Sequence, residues 1–409
     1  MKSQVSDTVF IITPSLDFGG AQRSVANIAN LLSSRYRVYV VIFNRESKIV
    51  FYPNAKVIDL KIGGGKNLLH KAFLFFQRCR NLYKLKKQYK PIVCISFLEG
   101  ANYINILSSY TSKTFISIRG SKMHDKEING TIGFIRKRLL IPVLYSFADK
   151  IITLSEGLKN EMIKNFWQNE SKIKTVYNFY DIKKVIDGSK EDIGDENVAG
   201  IFDSSPILIT SSRLHPQKDH NTLLTVFRRV LDIKACKLVL VGDGILYEQL
   251  IETATELGLS TFSLKSNQTC TNQYDVYFLD YQCNPYKYLR KSALFLFTSL
   301  WEGFGNSLAE AMICGTPVIS TDCPTGPREL LAPGTDVTYQ TTKLEETPYG
   351  WLMPMLESQS AIDQWVDIIV RLLEKPELAK VKANAAQYRM EEFSQEKIAQ
   401  RWFDLIERM

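Results

Sequence analysis

What this 409-residue sequence lacks already narrows it. Its seven cysteines are odd in number and no two are spaced Cys-x-x-Cys, so neither a disulfide framework nor a zinc site is indicated. Reduced thiols of a cytoplasmic protein are the expectation, and the sequon-like triplets Asn129-Gly-Thr131 and Asn267-Gln-Thr269 then carry no meaning. No apolar run approaches the ~18 residues that a bilayer-spanning helix needs. Val9-Phe-Ile-Ile12 is too brief for the apolar region of a signal peptide and reads as a first strand. No repeat of fixed period and no low-complexity tract interrupts the chain, which leaves an ordinary globular protein.

The length is too great for one core, and two domains are expected. Hydrophobic residues make up 45% and charged residues 23%, as in soluble proteins generally. The net charge of +8 conceals an asymmetry: residues 1–180 hold 28 Lys/Arg against 11 Asp/Glu, and residues 181–409 hold 23 against 32. A basic half joined to an acidic half implies that the first half faces a polyanion, which could be nucleic acid, an anionic membrane or a diphosphate-bearing acceptor. No RNP, zinc or helix-turn-helix signature supports nucleic acid.

Along residues 1–185 short apolar strands alternate with helical periods, the pattern of a parallel α/β sheet. Residues 8–12 form a strand, Gly19-Gly20 closes the following loop, and a helix runs from Ala21 to Leu32. Residues 66–90 predict an amphipathic helix with one apolar face, Leu68, Ala72, Phe75, Cys79 and Leu82. That segment carries eight Lys/Arg and no acid, with Arg80, Lys84 and Lys87 on a stripe beside the apolar face. A core-packed helix with a solvated basic back is one reading. A helix touching anionic lipid or gripping a diphosphate is the other, and the two are compatible. Strands at 91–98 and 114–118 end at Glu99 and Arg119, with His124 in the next loop and a basic-apolar helix over about 132–147. Ligands of parallel sheets sit at the carboxyl ends of strands, which is where Gly19, Glu99, Arg119 and His124 fall.

Residues 186–205, acidic and rich in Gly, Asp and Ser, read as a linker or exposed loop. A second α/β domain spans 206–385, and 386–409 is a C-terminal helix expected to pack back toward the first domain. Within the second domain the strand 206–210 runs into a loop bearing Arg213 and Lys218, and strand 238–241 runs into Gly242-Asp-Gly244. Residues 298–329 are the most informative stretch. A buried strand, Ala293–Phe297, leads into the loop Glu302-Gly-Phe-Gly305, then Asn306 as N-cap, a helix from Ser307 to Gly315, and a strand from Pro317. This aims backbone N–H groups and a helix dipole at a phosphate. The carboxylates Glu302 and Glu310 in such a place need hydroxyls to accept from, and a sugar nucleotide offers both phosphates and hydroxyls.

Taken together, Gly19-Gly20, Arg213 with Lys218, Gly242-Asp-Gly244 and Glu302-Gly-Phe-Gly-Asn-Ser-Leu-Ala-Glu310 followed by Gly-Thr-Pro-Val-Ile-Ser resemble the retaining family-4 glycosyltransferases of the GT-B fold. The resemblance covers roughly residues 8–330. The stretch Asp322-Cys-Pro-Thr-Gly-Pro-Arg-Glu-Leu330 is similar to members that elongate lipid-linked oligosaccharides or build bacterial surface polysaccharides. It implies two Rossmann-like parallel-sheet domains facing across a cleft, the first for the acceptor and the second for the nucleotide sugar. It further implies Glu310 on the ribose hydroxyls, Arg213 and Lys218 on the diphosphate, and Glu302 beside the donor sugar. Backbone amides of Phe304, Gly305, Asn306 and Ser307, with Gly242, would line the donor, and Gly19-Gly20 would close on it from the first domain. The expected reaction moves a hexose or N-acetylhexosamine, with retention, from a UDP-linked sugar to a lipid-diphosphate-linked sugar or oligosaccharide. No Asp-x-Asp occurs, which agrees with a site that uses no metal and no cofactor beyond its co-substrate. Expected partners are that donor, a lipid-linked or glycan acceptor docked on Arg80, Lys84 and Lys87, and the cytoplasmic face of an inner membrane, with no nucleic acid. One departure stands out: where relatives carry a histidine after strand 114–118 this chain has Arg119, so Arg119 or His124 takes the catalytic-side role, with Glu99 a contact for the acceptor. A UDP-sugar epimerase or a non-catalytic membrane-associated protein on the same scaffold are the competing readings.

Overall fold

The structure, a computed structural model, describes residues 7–17, 19–44, 51–125 and 130–408. Asn129 of the first sequon-like triplet lies outside them. The chain divides into two units, residues up to Asn178 together with Glu396 onward, and Phe179–Gln395.

The first unit is built on seven strands: β1 Thr8–Thr13, β2 Arg37–Ile42, β3 Lys56–Asp59, β4 Val93–Phe97, β5 Lys113–Ile118, β6 Lys150–Thr153 and β7 Ile173–Thr175. They pair in the order β3-β2-β1-β4-β5-β6-β7, all parallel. The central strands are buried on both faces, as their unbroken apolar runs require. Connections are helical: α1 Gly20–Leu32, α2 Leu68–Tyr89, α3 Glu99–Leu107, α4 Gly130–Ile135, α5 Ile141–Tyr145 and α6 Glu156–Lys164.

Two helices depart from the sequence expectation. In α2, Asn67 caps the N-terminus by accepting from His70 N at 2.8 Å. Only the second half of its apolar face is covered: Phe75, Cys79 and Leu82 pack with Phe10, Phe43 and Ile104, while Leu68 and Ala72 are exposed. Lys86, one of the expected solvated cations, turns inward instead and donates to Asn105 O and Oδ1, both at 2.8 Å. The expected helix at 132–147 is not a uniform α-helix, because a π turn, Arg136–Leu140, joins α4 to α5. The inward-facing residues there, Arg136 and Ile141, are five apart, the repeat of a π turn.

The second unit holds β8 Ile207–Ser211, β9 Lys237–Val241, β10 Thr261–Ser263, β11 Val276–Phe278, β12 Leu294–Phe297, β13 Val318–Thr321, β14 Glu345–Thr347 and β15 Gly350–Met353. The order is β10-β11-β9-β8-β12-β13-β15-β14, parallel except for the antiparallel edge strand β14. Its helices are α7 Ile182–Ser189, α8 Glu196–Ser204, α9 His220–Leu231, α10 Tyr247–Glu256, α11 Tyr286–Arg290, α12 Asn306–Ile313, α13 Pro327–Leu331, α14 Gln359–Glu374 and α15 Pro376–Arg389. Most of residues 186–205, read from the sequence as a loop, is helical. Asp195 caps α8 by accepting from Asn197 N and Val198 N, and Val198, Ile201 and Phe202 are buried, so sparse apolar residues at helical spacing outweigh the acidic composition. The last helix, α16 Gln395–Glu407, enters the first unit at Glu396, where Arg35 bonds Glu407 at 3.0 Å and stacks on Phe403.

Candidate functional site

In a doubly wound sheet the crevice opens where strand order reverses, at the carboxyl ends of the two strands that diverge. In the second unit those strands are β8 and β12. The loop after β8 carries Arg213 and Lys218, and the loop after β12 carries Glu302, so the topology brings these three predicted residues to one crevice. The loops are stitched together. Leu300 N donates to Gln217 O at 2.8 Å, Gln217 Nε2 to Trp301 O at 2.6 Å, and Thr298 Oγ1 to Lys218 O at 2.7 Å. Lys218 Nζ bonds Glu302 Oε1 directly, both side chains being largely withdrawn from solvent. Arg213 is exposed and makes no hydrogen bond or ion pair among the described residues, which leaves its guanidinium available.

The helix after β12 starts one residue earlier than expected. Gly305, at φ 96 and ψ 63, takes the cap position that the sequence assigned to Asn306, and Asn306 is the first helical residue. Only glycine adopts that backbone readily. Gly305 has no side chain with which to cap the helix, and the helix N-terminus follows directly on the loop that carries Glu302. Asn306 Oδ1 accepts from Tyr180 OH at 2.9 Å. Glu310, one turn into the helix, is buried, as is Glu302. The helix ends as read: Gly315, φ 73, lets Thr316 N donate back to Ala311 O at 3.0 Å.

Gly242 is fixed by a close approach. The loops after β8 and β9 run together, with Ser212 N donating to Val241 O at 3.0 Å and Leu214 N to Asp243 O at 2.9 Å. A Cβ on Gly242 would lie 1.9 Å from Ser212 O. Gly242 therefore shapes the Arg213 loop. His220, which the sequence reading passed over, is fully buried beside this loop with Nε2 3.0 Å from Ser212 Oγ, and burial together with the Lys218 charge pushes its pKa down to about 3. It stays neutral and structural.

In the first unit the order reverses between β1 and β4. Gly19, at φ 151, occupies the N-cap position of α1. Ser24 Oγ lies 3.0 Å from Gly20 O and 3.1 Å from Asn178 Oδ1, and Asn178 Oδ1 also accepts from Arg119 Nη2 at 2.6 Å. Arg119 is thus linked to the opening of α1. His124 is half exposed, with Nδ1 2.9 Å from Ser121 Oγ, in a turn whose amides at Lys122 and Met123 donate to Glu161.

Glu99 follows Leu98, a bulky residue held at φ 72 and ψ 150, a strained conformation of the kind that gathers at functional sites. Its carboxylate is gripped by Arg136, with Nε to Oε1 2.6 Å and Nη2 to Oε2 2.7 Å. Tyr103 OH at 2.8 Å and Lys122 Nζ at 3.7 Å complete its surroundings. Burial works to raise its pKa, but the Arg136 hydrogen bonds and the Lys122 and Arg136 charges prevail and hold it below the ordinary carboxylate value. Asp125 pairs with the same Arg136 at 2.9 Å. Arg136 is the residue the sequence reading missed. It sits 37 positions from Glu99, the first of three cations in a row, and only the π turn shows that it alone turns inward. Arg80, Lys84 and Lys87 are exposed on α2, on a different element from this cluster.

Residues 194–388 match the family model described as glycosyl transferases group 1, and residues 18–184 match glycosyltransferase family 4. An uncharacterized glycosyltransferase of Methanocaldococcus jannaschii is 30% identical over 365 residues, 84% of this chain and 86% of that one. The N-acetylgalactosamine-N,N'-diacetylbacillosaminyl-diphospho-undecaprenol 4-alpha-N-acetylgalactosaminyltransferase of Campylobacter jejuni is 27% identical over 398 residues, covering 94% and 95%. Among solved structures, Anabaena HepE in complex with UDP superposes with a TM-score of 0.72 at 19% identity, covering 98% of this chain and 100% of that one. With family models matching both halves and a 30% identical relative covered over 86% of its length, the chain belongs to the family-4 glycosyltransferases of the GT-B fold.

Proposed function

We propose that this protein is a retaining glycosyltransferase that moves a hexose or N-acetylhexosamine from a UDP-linked sugar to a lipid-diphosphate-linked sugar or oligosaccharide during glycan or surface polysaccharide synthesis. The observation that carries this reading is the crevice between β8 and β12, where the loop bearing Arg213 and Lys218 is bonded to the loop bearing Glu302, which runs on into α12 with its buried Glu310. Glu310 accepts the ribose hydroxyls. The first-turn amides of α12, over Phe304–Ser307, take the diphosphate and sugar, while Arg213 and Lys218 neutralise the phosphates. When the diphosphate engages Lys218, Glu302 is released to accept sugar hydroxyls.

The sugar C1–O bond to phosphate breaks as the acceptor hydroxyl oxygen bonds C1 on the same face, and the hydroxyl proton passes to the departing diphosphate. Negative charge grows on that leaving group, so Arg213 and Lys218 stabilise the transition state more than the ground state. Two fixed cations meet this demand, and the reading calls on no metal ion. In the first unit, Gly19 and Gly20 open a second anion-binding helix with Arg119 beside it, and Glu99 is an acceptor-side hydrogen-bond acceptor. The lipid-linked acceptor is supported by the basic surface of the first unit and by the Campylobacter relative, whose name specifies a diphospho-undecaprenol substrate. Among the described residues no helix is long and apolar enough to cross a membrane. Peripheral attachment at the cytoplasmic face of the inner membrane suits such an acceptor.

The test is a screen of nucleotide sugars by thermal shift, followed by transfer assays on the hits. Replacing Arg80, Lys84 and Lys87 together with alanine is expected to raise KM for a lipid-diphosphate-linked acceptor by about tenfold or more, since each lost cation–phosphate contact is a charge-assisted bond. Transfer to a short soluble acceptor is expected to persist. Equal use of both acceptors by the variant removes the diphosphate grip from the account. Conversion of a UDP-sugar without acceptor points to an epimerase instead.

A further inference from the structure

The helical layer of the first unit exposes far more apolar surface than a solvated layer needs. Helices α2 and α5 both pack on α3, so they lie in one layer. Along α4, the π turn, α5 and the turn that follows it, Ile132 (68% exposed), Phe134 (65%), Ile135 (44%), Leu139 (55%), Val143 (47%) and Phe147 (70%) stand in solvent. The first turns of α2 add Leu68, Leu69, Phe73 and Phe76, all well exposed. Six large apolar residues at least 44% exposed within sixteen positions mark an interaction site rather than ordinary scatter.

Its charge says what covers it. Residues 130–147 contain Arg136, Lys137 and Arg138 and no acid, and residues 66–90 contain eight Lys/Arg and no acid. Arg136 points inward to Glu99 and Lys137 Nζ donates to Met123 O at 2.6 Å, while Arg138 is exposed, as are Arg80, Lys84 and Lys87 on α2. Two copies of this chain meeting here would oppose cation to cation. An anionic lipid surface complements both features, taking apolar side chains among its acyl chains and cations among its headgroups. The segment is too short to span a bilayer, and its inner face, Gly133, Arg136, Ile141 and Tyr145, is fixed in the protein.

We infer that residues 132–147 are a bilayer-docking element that lies in the headgroup region of an anionic membrane, with the first turns of α2 as its flank. For its purpose the inference rests on the lipid-acceptor reading above, while its physical basis is the surface itself. The docking element is also the one that holds Glu99 through Arg136, so attachment and the acceptor-side carboxylate share a single segment.

Flotation of the full chain with phosphatidylcholine vesicles, with and without phosphatidylglycerol, tests this. The parent is expected to float with the anionic vesicles. Leu139→Glu with Val143→Glu is expected to reduce the bound fraction about tenfold or more, because two charges would enter the apolar boundary. Its melting temperature and its transfer to a short soluble acceptor are expected to stay as in the parent. Lys137→Gln with Arg138→Gln is expected to lose most of the preference for anionic vesicles. A parent that does not float, or a double-glutamate variant that floats as the parent does, overturns the inference. So does a parent that elutes as a dimer while the variant elutes as a monomer, which assigns the surface to a second copy. Transfer to the lipid-linked acceptor in detergent micelles separates the two readings: activity there without flotation sinks the docking element alone, and flotation without activity sinks the proposed reaction alone.

Discussion

Replacing Lys218 with alanine is expected to lower kcat for sugar transfer by about 10²- to 10³-fold, the loss seen when one preorganised charge-stabilising group is removed. The structure supplies two reasons. Lys218 is held rigidly, because its carbonyl and the neighbouring Gln217 carbonyl are bonded to Thr298 and Leu300 in the facing loop. It is also the cation of the Glu302 carboxylate, so its removal leaves a nearly buried negative charge where the proposed reaction brings a second anion, the diphosphate. The first effect weakens the transition state more than the ground state, and kcat should therefore fall more than the donor KM rises. Initial rates at varied donor concentration read the split. A variant with parental kcat and a raised donor KM would show that Lys218 only binds. Lys218→Arg is the informative companion, since it keeps the charge but offers a planar fork in place of a point charge.

Arg136→Ala is expected to destabilise the first unit by roughly 3–5 kcal/mol, the cost of breaking a buried ion pair from one side. Arg136 is the bidentate partner of Glu99 and also bonds Asp125, so the substitution strands two carboxylates at once. For a unit of this size the corresponding fall in melting temperature is of the order of 10 °C. Adding Glu99→Gln to Arg136→Ala should recover part of the loss, because the stranded charge is gone, and the double-mutant cycle measures the coupling. The pair also has a pH signature. The folded pKa of Glu99 is depressed, so its contribution is complete above the unfolded value near 4.5 and is lost as pH falls through the folded pKa. The parent should lose this stability in acid, and Arg136→Ala should lack that component. An Arg136→Ala melt that matches the parent would show the pair to be ornamental.

The crevice between β8 and β12 was legible because its chemistry lies in local patterns. A strand, a glycine-broken loop and a helix are contiguous over residues 293–315, and Arg213 and Lys218 follow directly on a strand. The one-residue shift from Asn306 to Gly305 as the cap has a plain cause. Asn306 is a good capping residue by type, but Gly305 alone accepts the left-handed backbone the turn imposes. The first unit was harder to read, since its site is assembled from distant segments. Nothing in Arg136-Lys-Arg138 distinguishes the inward cation from its neighbours, and a π turn has no sequence signature of its own. The apolar periodicity of residues 66–90 identified the α2 helix but could not show that Leu68 and Ala72 would remain uncovered, because periodicity reports a face and not what packs on it. Residues 186–205 misled through composition: Gly, Asp and Ser suggested a loop, and Asp195 turned out to be a helix cap.

In the proposed reaction the β8–β12 crevice holds the nucleoside diphosphate of the donor, with Glu310 on its ribose. Calorimetric titration of UDP into the full chain and into Glu310→Ala tests this most directly. A single site is expected in the parent and at least about tenfold weaker binding in the variant, matching the ~1.5–3 kcal/mol of hydrogen bonds to a charged acceptor. Glu310→Ala that folds as the parent does and binds UDP equally well would contradict it.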